Sequence, residues 1–451
     1  MSGTPPTPAS ASPIARLPFY YGWVVIAVAF VTMGIAINTR TAFSLLYPPI
    51  LAEFGWSRAT TAAAFSVGFF ASMLYSPFVG SMMDRFGPRY VIPFGATLVS
   101  GGMALAVLVT QPWHLYLTLG LLVVGGSICM SYIGHSIFLP SWFERKRGLA
   151  IGIAFSGVGV GSILLLPWLQ GLIEGFGWRR ACLAMAALTW VILVPLNFLL
   201  QRRHPHDLGL EPDGDRRPDG ERPAREAADN VVDPAWAAVD WTLARALRTA
   251  RFWWLFLAFF SSLICWYTVQ VHQTKYLSES GFAPDVAALA LGLVGLMGIA
   301  GQISIGHLSD RIGREWAWTI GASGFVLCYV ALLLIGHYPS SVLMYVMIAA
   351  QGLLGYGLSS LSGASAMELF QGRRYGTIFG TLSLASGLGA GIGPWAAGAI
   401  FDATGSYAPA FTLAAGFGAL SVLCIWQAAP RKVRLVAGQA ARRNRAPVTP
   451  P

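Results

Sequence analysis

Residues 80–89 read Gly80-Ser81-Met82-Met83-Asp84-Arg85-Phe86-Gly87-Pro88-Arg89, and a similar stretch begins again at Gly306. Four of its residues recur 226 positions later: Gly80, Asp84, Arg85 and Gly87 return as Gly306, Asp310, Arg311 and Gly313. A second set recurs at nearly the same offset: Gly152, Pro167 and Gly171 return as Gly380, Pro394 and Gly398. A shared offset in two separate segments indicates an internal duplication. We therefore predict two related halves.

The composition excludes an ordinary soluble protein. Of the 451 residues, 55% are hydrophobic and only 11% are charged, whereas soluble domains carry about 25% charged residues. The apolar residues form runs of roughly 20 or more, the length that crosses a hydrocarbon core about 30 Å thick. We predict an all-α membrane protein with twelve transmembrane helices in two six-helix bundles, at residues 20–46, 59–82, 90–109, 114–138, 148–173, 180–200, 252–276, 286–307, 316–336, 341–368, 376–401 and 407–428.

The distribution of positive charge predicts the orientation. Most Lys and Arg lie in segments that share a side with both termini, and Arg40 lies within the first span. The opposite loops hold only Arg58, Arg179, Arg180 and Lys275. Because Lys and Arg accumulate in cytoplasmic loops, we predict a multi-pass protein of the cell inner membrane with both termini in the cytoplasm. The net charge of +10 then requires no nucleic-acid partner.

Residues 201–251 are rich in Arg, Asp, Glu, Pro and Gly, the composition of a solvated linker. The end of this segment, 236–251, alternates apolar residues with arginines. That pattern predicts either an amphipathic helix on the inner leaflet or a solvated charged face. The predicted organisation begins with a disordered cytoplasmic tail at 1–18 and a six-helix bundle at 19–203. A cytoplasmic linker with the amphipathic helix follows at 204–250, then a second six-helix bundle at 251–430 and a second cytoplasmic tail at 431–451.

The stretch at Gly80 resembles the loop signature of the major facilitator superfamily, G-x-x-x-D-R-x-G-x-R/K, and the copy from Gly306 to Arg314 is nearly complete. Other stretches resemble the monocarboxylate and oxalate–formate transporter branch: Tyr20-Tyr21-Gly22-Trp23, Trp142-Phe143-Glu144-Arg145-Lys146-Arg147-Gly148-Leu149-Ala150, and Val271-His272 followed by Tyr276-Leu277. The resemblance covers about Tyr20 to Trp426. It implies a carrier of small organic anions that moves them with a proton or in exchange for another anion.

The duplicated stretch has the residues that a gate between the halves needs. Gly80 and Gly87 allow close helix approach and a sharp loop, while Asp84 can face the positive N-terminal end of the eleventh helix. Asp310 can do the same at the fifth helix. The alternative is that these charges only set the topology. The predicted gating residues are Gly80, Asp84, Arg85, Gly87, Arg89, Asp310, Arg311 and Arg314.

Duplicated carriers place the substrate near the bilayer midplane between their halves. Arg40 is the main candidate, because a charge inside a span is costly and marks function. It can hold a carboxylate through paired hydrogen bonds or, alternatively, extend to the outer surface. His135 and His272 are candidates for proton transfer or satisfied structural donors. The predicted substrate-binding residues are Arg40, Asn38, Tyr132, His135, Tyr267, Gln270, His272, Gln302 and Ser386.

The chain departs from the resemblance at the positions where that branch carries charge. Its monocarboxylate carriers have an acid and an arginine one turn apart in the eighth helix, and this chain has Gly298 and Gln302 there. The lysine of the oxalate exchanger aligns with Ser386. The residues that bind the carboxylate and couple transport to protons in that branch are therefore missing from the sequence. Arg40 remains as the predicted cation within the membrane-spanning region.

These observations predict a secondary active transporter of a small, monocarboxylate-like organic anion that works by alternating access. The alternative, favoured by 13% aromatic residues, is a proton-driven exporter of drugs or other amphipathic solutes. The expected partners are a small carboxylate, with or without protons, and the lipid bilayer, and the expected state is a monomer. We predict no catalytic residue, metal or cofactor, because no nucleophile–base pattern lies at membrane depth and the five cysteines lie in five different spans.

Overall fold

The computed structural model describes residues 19–56, 58–214 and 230–445. These ranges contain twelve helices that are long and apolar enough to span a membrane, which confirms the predicted fold class. The predicted tail over 1–18 and residues 215–229 of the linker lie outside the described residues. We number the helices α1 to α12: Gly22–Phe54, Arg58–Phe86, Pro88–Leu108, Pro112–Ser141, Arg147–Phe176, Trp178–Leu200, Ala250–Glu279, Pro284–Ile312, Arg314–Ile335, Ser341–Phe370, Tyr375–Thr404 and Ala408–Lys432.

Because the number of spans is even, the linker between α6 and α7 lies on the same side as both ends of the chain. We call this the linker side. On it, Gly87 and Gly313 occupy the short connections from α2 to α3 and from α8 to α9, with φ of 72° and 105°. Backbone in this region favours glycine, which explains why both copies of the duplicated stretch have a glycine there.

Helices α4 and α10 are interrupted near their middle, at corresponding places in the two halves. In α4 a π-helical segment, Tyr116–Gly125, passes into a 3₁₀ segment, Gly126–Met130, and then into extended backbone at Ser131. In α10 a π-helical segment, Ala350–Leu354, passes into a 3₁₀ segment, Gly355–Gly357. Irregular backbone at membrane depth is tolerated where protein covers it or where it lines a cavity. These segments therefore mark the interior between the halves.

Glycines allow the two halves to touch on the linker side. Gly80 of α2 lies against Gly376 of α11, and Gly148 of α5 lies against Gly306 of α8. At each of the four positions, a Cβ atom would come within 3.0 Å of the partner's main-chain carbonyl oxygen. Small residues at such crossings let helix backbones pack directly against each other. The two crossings are related by the duplication, so the interface between the halves is pseudo-symmetric.

The second part of the linker packs against the protein. Two short helices, Pro234–Ala237 and Leu243–Leu247, are present where one amphipathic helix is predicted over 236–251. Trp236 donates a hydrogen bond from Nε1 to the Leu369 carbonyl at 2.7 Å, and Trp241 is only 5% exposed. Both indole rings pack against Phe370 at the end of α10, with centroids 6.1 and 5.1 Å from its ring.

The tail after α12 pairs with the linker. The Val232 amide donates to the Val433 carbonyl at 2.9 Å, and the Leu435 amide donates to the Asn230 carbonyl at 2.7 Å. A helix, Ala437–Arg445, follows, and we call it the tail helix. Gln439 fastens it by donating from Nε2 to the Ile312 carbonyl at 2.8 Å. The tail therefore lies across the end of α8.

We predict that Gly157→Ala lowers the thermal stability of the purified protein. A Cβ at Gly157 would lie within 3.0 Å of the Phe30 carbonyl, where α5 crosses α1, and overpacking of this kind costs about 1–3 kcal/mol. The matched control is Gly171→Ala on the same helix, where no atom lies within 4 Å of the added carbon. Thermal unfolding in detergent should show a lower Tm for the first variant only, and equal Tm values would contradict the packing argument.

Candidate functional site

Arg40 lies in the last turn of the first segment of α1, and its side chain is half-buried. The guanidinium carbon lies 4.1 Å from the centroid of the Phe69 ring on α2. Tyr267 of α7 and Tyr132 of α4 lie close enough to the guanidinium to interact with it electrostatically. Within the described ranges no carboxylate forms an ion pair with Arg40. Its positive charge is therefore held by an aromatic ring and two phenols.

Tyr132 connects this arginine to the second half. It follows the extended Ser131, so the interruption of α4 sets its position. Its hydroxyl group lies beside the side chain of Gln302 of α8, and its ring packs edge-on against Phe155, with centroids 4.8 Å apart. The Oε1 atom of Gln302 is buried and has no hydrogen-bond partner among the described residues. An unsatisfied acceptor of this kind is costly and is available to a ligand.

Tyr356 completes the cluster from the interrupted part of α10. Its hydroxyl donates to Gln270 Oε1 at 2.8 Å, and its ring packs on Trp266, with centroids 4.6 Å apart. A Cβ at Gly298 would lie 2.6 Å from Cδ1 of this tyrosine. The tyrosine ring therefore fills the space beside the position at which the resemblance would place an acid.

These residues form one group, which we call the central cluster. It contains a single cation, three phenols, two amides and two further aromatic rings, contributed by α1, α2, α4, α7, α8 and α10. Since it draws on both halves, it lies at the interface between them. Its members are Arg40, Phe69, Tyr132, Trp266, Tyr267, Gln270, Gln302 and Tyr356.

Two of the predicted substrate-binding residues make contacts within a single half. Asn38 donates from Nδ2 to the carbonyls of Gly34 and Val158, at 2.7 and 3.0 Å, and accepts from Ser162 at 2.8 Å. These bonds join α1 to α5. His272 places Nδ1 3.3 Å from the Tyr407 hydroxyl and Nε2 3.0 Å from the Pro394 carbonyl. The polar atoms of both side chains are thus engaged in packing between helices.

His135 and Ser386 differ from these two. His135 is fully buried, with Nδ1 3.1 Å from the Ser131 carbonyl, and its Nε2 has no partner among the described residues. It lies one turn beyond Tyr132 on α4, toward the linker side. Ser386 is half-buried on α11, one residue before Gly387, which lies against Met73 of α2. Within the part of the chain that the structure describes, neither residue forms a hydrogen bond or ion pair with Arg40.

On the linker side the carboxylate of Asp84 binds the N-terminus of α11. Oδ1 accepts from the Gly376 amide at 2.9 Å, and Oδ2 accepts from the Thr377 amide at 2.7 Å and its hydroxyl at 2.9 Å. Arg203, just beyond α6, pairs with Oδ1 at 3.1 Å and donates to the Asp84 carbonyl. The cation at this carboxylate is therefore Arg203. A carboxylate at a helix N-terminus is favoured by the exposed amides and the dipole.

The second copy of the motif makes the corresponding bond. Asp310 accepts from the Gly148 and Leu149 amides at the N-terminus of α5, at 2.9 and 3.0 Å. Its cation is Arg314, whose Nη1 lies 2.8 Å from Oδ1 and whose Nε lies 2.8 Å from Glu368 Oε1. We call the two carboxylates with their amide partners the two latches. Both join one half to the other, so this structure is closed on the linker side.

The remaining predicted gating residues lie around the latches. Arg85 and Arg311 are exposed. Arg89 donates to the Phe198 carbonyl at 2.9 Å and so remains within its own half. Gly80 and Gly87 contribute the close crossing and the tight connection described above.

Sequence reasoning missed several contributors to both sites. Arg203 is one of many basic residues that follow α6, and nothing in its spacing distinguishes it. Glu368 is an acid near the end of an apolar span, which is a signal that should have been used. Tyr356 lies 224 residues after Tyr132 in the sequence, so aligning the halves would have identified it. Phe69 and Trp266 carried no signal, since aromatic residues are common throughout the chain.

Comparison with known proteins finds relatives over most of the chain. The sequence profile of the Major Facilitator Superfamily matches residues 24–365. Monocarboxylate transporter 13 of Rattus norvegicus is 26% identical over 406 residues, which cover 88% of this chain and 86% of that protein. Monocarboxylate transporter 12 of Homo sapiens is 26% identical over 427 residues, which cover 87% of this chain and 77% of that protein.

Solved structures share the fold. A crystal structure of the transporter FucP in the outward conformation matches with a TM-score of 0.66 and 16% identity, over 92% of this chain and 99% of that chain. The human organic anion transporter MFSD10 matches with a TM-score of 0.67 and 18% identity, over 91% of this chain and 100% of that chain. At such identities the likeness extends to the fold alone.

We predict that Asp84→Asn loosens the first turn of α11. The substitution replaces one carboxylate oxygen by an NH2 group, which cannot accept a hydrogen bond from an amide, and it removes the ion pair with Arg203. Hydrogen bonds to charged groups contribute about 1.5–3 kcal/mol. Hydrogen–deuterium exchange of peptides that span Tyr375–Gly380 should therefore accelerate by about ten-fold or more. Asp240→Asn is the matched control, since Asp240 is exposed on the linker side and contacts neither latch. Unchanged exchange in the Asp84 variant would show that the carboxylate does not hold the halves together.

Proposed function

This chain belongs to the major facilitator superfamily, and we propose that it is a secondary active transporter of a small organic monoanion with a carboxylate as its charged group. Membership makes it a multi-pass membrane transporter with a small-molecule substrate, not an enzyme. The anionic substrate and alternating access are our inference. The observation that carries the inference is Arg40, a cation without a carboxylate partner, within a cluster built by both halves.

Arg40 has the chemistry to bind a carboxylate. A guanidinium can donate two parallel hydrogen bonds to the two carboxylate oxygens, and its present contacts with Phe69 and Tyr267 are weaker interactions that such a ligand can replace or supplement. A cation–π contact is worth about 0.5–2 kcal/mol. Tyr132 and Tyr267 lie beside the guanidinium, so they can donate to the same carboxylate.

The charge of the cluster limits the charge of the substrate. Arg40 is the cation of the central cluster, and the other polar members are phenols and amides. A dianion would bring a second negative charge into a site with nothing to neutralise it, and an unpaired buried charge costs several kcal/mol. The aromatic rings of Phe69, Trp266 and Tyr356 suit an apolar body. We therefore favour monocarboxylates over dicarboxylates, in line with the names of the related monocarboxylate transporters.

The two latches support alternating access. They join the halves on the linker side at pseudo-symmetric crossings, so breaking both frees one half to rotate against the other about the central cluster. In the closed arrangement described here, substrate enters from the opposite side. The positive-inside rule supports a cytoplasmic linker side and cytoplasmic termini in an inner membrane. We propose a monomer, because both walls of the pathway come from a single chain.

The test is uptake into proteoliposomes of purified protein with labelled mono- and dicarboxylates. We expect saturable uptake of a monocarboxylate and a KM about ten-fold higher or more in Arg40→Lys, a loss of about 1.4 kcal/mol, because lysine lacks the planar fork. Arg374→Lys, an exposed exchange at the start of α11, is the control and should transport normally. An unchanged KM in Arg40→Lys would exclude direct binding by this residue.

Two further arms of the same experiment address coupling and the alternative function. Faster uptake under an inward proton gradient would indicate proton symport, while acceleration only by internal carboxylate would indicate exchange. If folded protein moves no carboxylate but moves amphipathic cations or neutral compounds, the anion proposal is wrong and the exporter alternative gains support.

A further inference from the structure

A cavity of about 390 Å³ lies on the linker side, outside the central cluster. Its walls come from both halves, from the linker and from the tail helix. Trp23 of α1 lines one side, and Phe143 and Lys146 line it from the connection between α4 and α5. His307 and Arg311 near the end of α8, and Ala437 at the start of the tail helix, complete the lining. The space is therefore complete only when the latches are closed and the tail helix is docked.

The cavity carries positive charge. Lys146 and Arg311 are exposed and form no ion pair within the described part of the chain. Two aspartates and Arg145 also face the cavity. Asp310 binds α5 amides and Arg314, while Asp213 uses Oδ2 to accept from the amides of Glu144 and Arg145 at 2.9 and 2.8 Å and to pair with the Arg145 guanidinium at 3.8 Å. The two free cations therefore determine which ligand charge is favoured.

Two polar atoms in the walls lack partners. His307 Nδ1 and Asp213 Oδ1 are both buried and have no hydrogen-bond partner among the described residues. A buried polar atom without a partner costs about 1–3 kcal/mol. A ligand that satisfies both atoms must offer an acceptor or donor to the imidazole and a donor to the carboxylate. Ala437 and Gly438, in the first turn of the tail helix, also line the cavity. Because helix N-termini favour anions, these residues favour a ligand with a negatively charged acceptor group.

The position of the cavity indicates the source of this ligand. Trp23 follows the first residue of α1, Lys146 immediately precedes α5, and Arg311 is the penultimate residue of α8. Residues at the ends of spanning helices lie at the depth of the lipid headgroups, where basic side chains attract anionic lipids. Trp23 and Phe143, whose ring centroids are 5.1 Å apart, supply an apolar wall of the kind found at the interface.

We propose that this cavity binds the headgroup of an anionic phospholipid that carries both a phosphate and a hydroxyl, the chemistry of phosphatidylglycerol. The phosphate pairs with Lys146, Arg311 and the tail-helix amides, and a headgroup hydroxyl donates to Asp213 Oδ1. The orientation rests on the proposed cytoplasmic linker side. Because both halves and the tail form the site, the lipid binds the closed arrangement and stabilises it by linkage.

The experiment uses the full-length purified protein in detergent, titrated with phosphatidylglycerol or with phosphatidylcholine, and follows Tm and lipid adducts in native mass spectra. We expect phosphatidylglycerol to raise Tm and to form an adduct, and phosphatidylcholine to do neither. In the double variant Lys146→Gln/Arg311→Gln, the dissociation constant should rise about ten-fold or more. The control is Arg248→Gln/Lys432→Gln, which removes two exposed cations of the linker side and should respond like the natural protein.

A second variant keeps the test decisive if charge removal disturbs folding. Ala437→Trp fills the cavity without changing charge and should abolish the adduct while leaving Tm in phosphatidylcholine unchanged. The remaining arm uses glycerol 3-phosphate in place of the lipid. If it raises Tm in the natural protein and in neither cavity variant, the same site is supported but is assigned to soluble organic phosphates. The proposal is overturned if phosphatidylglycerol raises Tm equally in the cavity variants and in the control, or if it raises Tm in none of them. This outcome does not depend on whether the protein transports carboxylates.

Discussion

A carboxylate placed at the N-terminus of a helix in the opposite half is the interaction on which this structure depends. Asp84 does this at α11 and Asp310 at α5, with backbone amides at 2.7–3.0 Å in every case. The glycine crossings matter because they bring the helix ends within reach of these carboxylates. A side chain at Gly80 would separate α2 from α11, and one at Gly148 would separate α5 from α8, so each would lengthen the bonds of the latch beside it. The closed linker side and the cavity between the halves both require the latches to be made.

The central cluster depends on a second constraint, the irregular backbone of α4 and α10. A regular helix would direct its side chains evenly around the axis, whereas the π and 3₁₀ segments redirect the residues that follow them. Tyr132 and Tyr356 lie at these places, and both turn toward the space between the halves. Arg40 and Tyr267 are contributed by α1 and α7, which are also related by the duplication. The site therefore has the same approximate symmetry as the fold, except that one half supplies a cation where the other supplies a phenol.

Much of the fold could be predicted from the sequence because membrane spans are set by local apolar length, which a sequence records directly. The duplicated motif also predicted which helix ends Asp84 and Asp310 would meet. The cations that pair with these carboxylates are Arg203 and Arg314. Arg314 belongs to the duplicated motif, but Arg203 could not be predicted in the same way, because it lies beyond α6 and far from Asp84 in the sequence. Ion pairs between distant segments depend on loop geometry, which hydrophobic patterning does not encode. The same reason applies to the linker, where two tryptophans pack against Phe370 at the end of α10.

Each latch keeps its counter-ion on its own side of the interface. Arg203 follows α6 in the same half as Asp84, and Arg314 lies in the same half as Asp310. The charges of Asp84 and Arg203 cancel in the first latch, whereas in the second Arg314 pairs with both Asp310 and Glu368, so that group keeps one net negative charge. Among the described residues Arg40 has no such companion. A transmembrane voltage, which acts with about 2.3 kcal/mol per elementary charge per 100 mV, therefore acts on Arg40 in the empty protein, and under the proposed function a bound monoanion would remove that electrical sensitivity.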